Sequence, residues 1–80
     1  MTTHATDANV ILRTDGPVAT IELDRPERLN ALTLAMYDAM TSALDAAGKD
    51  PAVRAVLITG QPGIFTSGND IDDFMQRAPG

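Results

Sequence analysis

The chain has 80 residues, of which 44% are apolar, and a net charge of −5 with six basic residues scattered along it. That composition suits a folded domain rather than a disordered segment. It leaves no basic face for nucleic acid and no run near the ~18 apolar residues of a membrane span. There is no Cys, which excludes disulfides and thiolate nucleophiles, and the one His, His4, lies in the polar leader, which argues against a Ser-His-Asp triad or a multi-histidine metal site within this chain. Chemistry here rests on backbone groups, carboxylates or hydroxyls.

Residues 1–9 form a polar leader without the basic start and apolar middle of a secretory signal, and read as a flexible, frayed terminus with an idle His4. Val10 to Thr14 is rich in β-branched residues and ends at the turn signal Asp15-Gly16-Pro17. Val18 to Leu23 alternates, with Ala19, Ile21 and Leu23 on one side and Val18, Thr20 and Glu22 on the other. The two segments predict an antiparallel hairpin. Asp24 to Asn30 reads as a polar loop broken by Pro26.

Thr33 is placed as the N-cap of a helix over Leu34 to Gly48, with Met36, Met40, Ala43, Leu44 and Ala47 as its apolar stripe. Asp50-Pro51 forbids continuation. Val53 to Thr59 predicts a strand buried over most of its length. A loop rich in Gly and Pro comes next, from Gly60 to Asn69, and Asp70 to Gln76 starts another helix. The order β-β-α-β-loop-α leaves one element without a partner and reads as the opening of a larger α/β fold. An isolated chain of this length buries only about two-thirds of its surface and is expected neither to fold stably nor to catalyse.

The loop Gly60 to Asp70 leaves the end of a strand and enters a helix, a junction where ligands commonly sit in α/β sheets. Gly68 permits a strained backbone or a close approach, so the N–H groups of Asn69 and its neighbours are candidate donors to an oxyanion. A purely structural role for Asn69 or Asp70, capping the helix, weighs against this. Neither a Walker A motif nor G-x-G-x-x-G is present. The trio Asp70, Asp72 and Asp73 suits helix-start electrostatics better than Mg²⁺. Ser67 has no base to make it a nucleophile. Arg25 and Arg28 are either phosphate contacts or solvated loop arginines.

Two segments together resemble a known family. Ile21-Glu22-Leu23-Asp24-Arg25-Pro26-Glu27-Arg28-Leu29-Asn30-Ala31-Leu32 resembles the N-terminal signature of the crotonase superfamily of enoyl-CoA hydratases and isomerases. Phe65-Thr66-Ser67-Gly68-Asn69-Asp70-Ile71 resembles its oxyanion-hole loop, and the resemblance covers the chain from Val10 onward. It implies a right-handed spiral of β-β-α units, seen here in its N-terminal portion, residues 10–80. It also implies a cytoplasmic homotrimer or dimer of trimers in acyl-CoA metabolism, with coenzyme A as part of the substrate and no separate cofactor or metal.

By position in that resemblance, the Asn69 N–H is the first oxyanion donor. Arg28, Leu29 and Ala31 match the loop over the CoA adenine and pantetheine, and Ser67, Gly68, Asp70 and Ile71 match contacts beside the thioester. The CoA reading favours a phosphate contact for Arg28. The second donor, a glycine, and the carboxylate acid and base are expected beyond Gly80. Many hydratases carry a small apolar residue at the Asn69 position; Ser67-Gly68-Asn69-Asp70 leans slightly towards Δ3-Δ2-enoyl-CoA isomerases. The alternatives are a non-catalytic CoA-binding remnant, or another reaction of the superfamily such as thioester hydrolysis, decarboxylation or dehalogenation.

Overall fold

The computed structural model describes residues 2–77; Met1 and residues 78–80 lie outside the described residues, as do the side chains of residues 2–7 and 77, His4 among them. Four strands form one sheet in the order β1-β2-β3-β4, comprising Thr2–Asp7, Val10–Asp15, Val18–Leu23 and Ala55–Thr59. The first three are antiparallel neighbours, and β4 joins β3 in parallel, with Ile21 opposite Ile58. Among the described residues two helices, α1 (Leu34–Lys49) and α2 (Ile71–Arg77), accompany the sheet, with one 3₁₀ turn at Pro26–Arg28.

The hairpin expected from alternation is present, with Val10 paired to Leu23 and Asp15 to Val18 around the turn at Gly16 and Pro17. Ala19, Ile21 and Leu23 are fully buried and meet Val10, Leu12, Leu32, Met36, Ala39, Ala43 and Ala47 in one core. On the opposite face, Arg13 and Glu22 form a cross-strand ion pair.

The leader differs from its expectation. Thr2–Asp7 runs as an edge strand beside β2, with an irregularity in register between Ala5 and Asp7. A backbone ladder does not require an apolar pattern, and the β-branched Thr2, Thr3 and Thr6 suit extended geometry. Composition alone therefore misses this kind of strand.

Thr33 caps α1 as expected: its Oγ1 accepts from the Met36 N–H at 3.0 Å. A second cap comes from α2, where Asp73 Oδ2 accepts the Leu34 N–H at 2.9 Å. The helix runs one residue past Gly48, and its C-cap is Asp50, whose N–H donates to Ala47 O. Its buried stripe is Met36, Ala39, Ala43 and Ala47, with Met40 packed partly against the core. Leu44, expected within the stripe, is 44% exposed.

The larger correction concerns the strand expected to be buried. It begins at Ala55 rather than Val53, and every residue from Ala55 to Ile58 is exposed. The cause is topological. β4 is an edge strand paired only with β3, whereas α1 packs across β1, β2 and β3. Val56, Leu57 and Ile58 thus carry the apolarity of an interior strand without cover among the described residues.

Candidate functional site

The chain joins two loops into one seam, residues 24–32 and residues 60–70. The first loop makes an unusual turn after the 3₁₀ segment, because Leu29 and Asn30 both lie in the left-handed region, at φ 54° and 56°. Non-glycine residues there cost roughly 1–2 kcal/mol each, so the surroundings must hold them. Asn30 supplies that hold. It is fully buried, its Oδ1 accepts the Arg25 N–H at 2.7 Å, and its Nδ2 donates to Leu23 O at 3.3 Å and Phe65 O at 3.0 Å.

The second loop leaves β4 through Gly60, where a Cβ would stand 2.5 Å from the carbonyl oxygens of Ile64 and Phe65. Only glycine lets the chain fold back so closely on itself. Gln61 and Ile64 then pair with each other, and the Gln61 Nε2 reaches Leu23 O at 2.9 Å. From Phe65 onward the loop is laced to the first segment. Thr66 Oγ1 donates to Asn30 O at 2.6 Å, and the Ser67 N–H donates to Leu29 O at 3.0 Å. Leu32 donates to Gly68 O at 2.7 Å and accepts from the Asp70 N–H at 2.7 Å.

This lacing decides which amides remain for a ligand. Of the N–H groups from Ser67 to Asp70, Ser67 is bound to Leu29, Gly68 to Thr66 Oγ1 and Asp70 to Leu32. The Asn69 N–H takes no acceptor among the described residues. Its direction is set by peptide geometry. The C=O of Gly68 points at Leu32, and in a trans peptide the following N–H points the opposite way. The Asn69 N–H therefore faces away from the seam. Gly68, at φ 108°, supplies a bend that other residues rarely adopt, although nothing lies within 4 Å of its absent Cβ. Its requirement is conformational rather than steric.

The remaining expected residues separate into two groups. Leu29 and Ile71 are 59% and 67% exposed, and Ser67 is also exposed. Arg28 is open too, with its side chain 55% exposed and its Nη2 3.8 Å from Asp70 Oδ2. Ala31 is half-buried and its carbonyl accepts from Arg25 Nη1 at 2.9 Å.

Asp70 differs from the open group. It is 7% exposed; its Oδ2 pairs with Arg25 Nη1 at 2.9 Å, and its Oδ1 accepts the Asp73 N–H at 3.0 Å. The Asp73 N–H and the Arg25 guanidinium hold its carboxyl below the ordinary aspartate value, against a desolvation that would raise it, and Arg28 adds a weaker pull. Both its carboxylate and its N–H are engaged inside the fold. Arg25 is likewise neither a solvated arginine nor an open phosphate contact: it is a half-buried bolt between the two loops.

Two further residues were not singled out in the sequence. Tyr37, on the first turn of α1, donates its hydroxyl to Asn69 Oδ1 at 2.6 Å. Its ring meets Phe74 of α2 edge-on, with centroids 6.0 Å apart. Asn30 is the other, hidden in a segment whose composition reads as a solvated loop. Only the family signature singled out that segment, through its position and not through any local pattern.

A family-wide profile for enoyl-CoA hydratase/isomerase matches residues 13–80. The chain belongs to the enoyl-CoA hydratase/isomerase family. It is 38% identical over 71 residues to human enoyl-CoA delta isomerase 2, covering 89% of this chain and 18% of that protein. It is 30% identical over 80 residues to the enoyl-CoA hydratase EchA19 of Mycobacterium tuberculosis, covering 100% of this chain and 30% of the relative.

Among solved structures, Pseudomonas aeruginosa OdaA superposes with a TM-score of 0.85 at 46% identity, over 92% of this chain and 30% of that one. An enoyl-CoA hydratase from Mycobacterium tuberculosis gives a TM-score of 0.79 at 32% identity, over 86% and 31%. The fold is thus the N-terminal portion of the crotonase spiral. The chain spans less than a third of the length of these relatives.

Proposed function

We propose that the chain forms the N-terminal part of an enzyme acting on acyl-CoA thioesters by hydration or double-bond isomerisation. In this reading the Asn69 N–H is one of two donors to the thioester oxygen. The observation that carries it is the Asn69 N–H, turned away from the seam and without an acceptor among the described residues, while the N–H groups of Ser67, Gly68 and Asp70 beside it are engaged. The seam holds that donor in place before a ligand arrives.

The chemistry is governed by where negative charge develops. When a base takes the proton beside a thioester, the C–H electron pair moves through the new C=C bond onto the carbonyl oxygen. When water adds to a conjugated enoyl thioester, its oxygen bonds the β-carbon and the alkene electrons move the same way. Both routes give an enolate oxygen, a stronger acceptor than the ground-state carbonyl. A preorganised N–H therefore stabilises the transition state selectively, and losing one such donor costs about 3 kcal/mol. The carboxylates that move the protons, and the second N–H, belong to segments beyond residue 80 in this proposal.

The coenzyme lies along the first loop. Arg28 is free to meet a phosphate with its guanidinium, while Leu29 and Ala31 flank the pantetheine and adenine. Ser67 and Ile71 face the thioester side. Asp70 contributes by fixing the seam. The complete protein is proposed to assemble as a homotrimer or dimer of trimers and to serve cytoplasmic acyl-CoA metabolism.

Crotonyl-CoA hydration and 3-enoyl-CoA isomerisation, measured side by side on the complete open reading frame containing these residues, test the proposal. Turnover of either thioester supports it. Coenzyme A binding with neither reaction overturns it in favour of a binding module.

A further inference from the structure

The Tyr37 hydroxyl stands at Asn69, whose N–H takes no acceptor among the described residues. The peptide joining Gly68 to Asn69 is anchored on one side, where Gly68 O accepts from Leu32 N at 2.7 Å. Gly68 itself, at φ 108°, has no side chain to resist rotation of that peptide. The next peptide is held by the Asp70 N–H on Leu32 O at 2.7 Å, and a further restraint comes from the Asn69 side chain. Asn69 makes one side-chain hydrogen bond among the described residues, at 2.6 Å from Tyr37. Tyr37 is well placed to act as an anchor, being on the capped first turns of α1 with its ring against Phe74.

We infer that Tyr37 is a positioning residue for the oxyanion donor, its hydroxyl fixing Asn69 so that the Asn69 N–H stays aimed at the thioester oxygen. The inference rests on the acyl-CoA reading above and deepens it. It assigns a use to the amide side chain at position 69, which the backbone-donor account alone leaves idle. A helix-borne hydroxyl suits the task better than a loop residue, because the helix does not move with the peptide it restrains.

Tyr37→Phe in the complete open reading frame separates this role from packing, since it keeps the ring on Phe74 and removes only the hydroxyl. The expected result is a fall in kcat of about fivefold, the scale of one hydrogen bond. KM and the thermal midpoint stay near the wild-type values. Asn69→Ala should give a similar loss, and the double variant no more than either alone, because both break the same link.

The direct readout is the infrared carbonyl stretch of bound butyryl-CoA carrying ¹³C at the thioester carbon. The wild type should lower that frequency, and Tyr37→Phe should lower it less. An equal lowering in Tyr37→Phe with wild-type kcat overturns the positioning role while leaving the thioester reading intact. A wild type that neither shifts the stretch nor turns over an enoyl thioester overturns both.

Discussion

Along the seam, Asn30 is fully buried with each side-chain polar atom bonded, and Arg25 ties Asp70 to Ala31 across 2.9 Å contacts. Along β4, Val56, Leu57 and Ile58 are 42%, 53% and 36% exposed. The two regions are joined at Gly60, yet one has every requirement met locally and the other has almost none. The contrast separates shaping a site from sheltering it. Hydrogen bonds between the two loops shape the donor loop within this chain. The apolar cover that β4 calls for is not among the described residues, and the chain spans less than a third of the relatives that share the fold.

The comparison breaks most sharply at Asn30. Replacing it by Ala removes the partners of the Arg25 N–H and of Phe65 O, takes one of two donors from Leu23 O, and leaves a non-glycine residue at φ 56° without its hold. A buried donor or acceptor left unpaired costs about 1–3 kcal/mol, so a loss of at least about 3 kcal/mol is expected. Chemical denaturation of the complete protein measures it. A loss near that of a surface substitution would show that the seam is held elsewhere.

Acid tests the same seam more gently. The Asp70 carboxyl is depressed, so its contribution is fully present above the unfolded-state value near 4 and is lost as pH falls through the lower folded-state value. Asp70→Asn should therefore lower stability at neutral pH and flatten the decline in that acidic window. Thermal midpoints of both proteins from pH 7 to pH 2 measure the slope, and parallel curves would contradict the assignment.

The smallest effect on stability belongs to β4. Leu57 is 53% exposed on an edge strand, so Leu57→Lys gives up little burial among the described residues. An open apolar edge instead invites association. The chain should self-associate, and Leu57→Lys should reduce this in sedimentation velocity. Unchanged association would move the sticky surface to another face.

Local pattern carried much of the fold. Alternation at Ala19, Ile21 and Leu23, the Asp15-Gly16-Pro17 turn and the Thr33 cap each act over a few residues, and each is present. Pattern failed where the deciding partner is remote. Asn30 is buried because of Phe65, 35 residues on, and Arg25 because of Asp70, 45 residues on. Tyr37 lies on a helix, and its partner Asn69 is 32 residues away. The apolar run in β4 expresses a preference for burial, but burial is supplied by whatever packs there. The polar leader made the converse error possible, since β1 is held by backbone pairing that composition does not record. The donor loop itself was legible through Gly68 and its place between strand and helix; the family resemblance named the Asn69 N–H, but local pattern did not show that the amides beside it are engaged.

In the proposed function the backbone N–H of Asn69, rather than its side chain, carries the stabilisation. The most direct measurement is kcat for Asn69→Pro beside Asn69→Ala in the complete protein, with circular dichroism and thermal melts confirming that both fold. The proline variant loses an N–H that no hydrogen bond of the described fold uses. It should lower kcat by about 10²–10³-fold, while the alanine variant falls only about fivefold. Equal and severe losses in two properly folded variants would contradict the backbone-donor account.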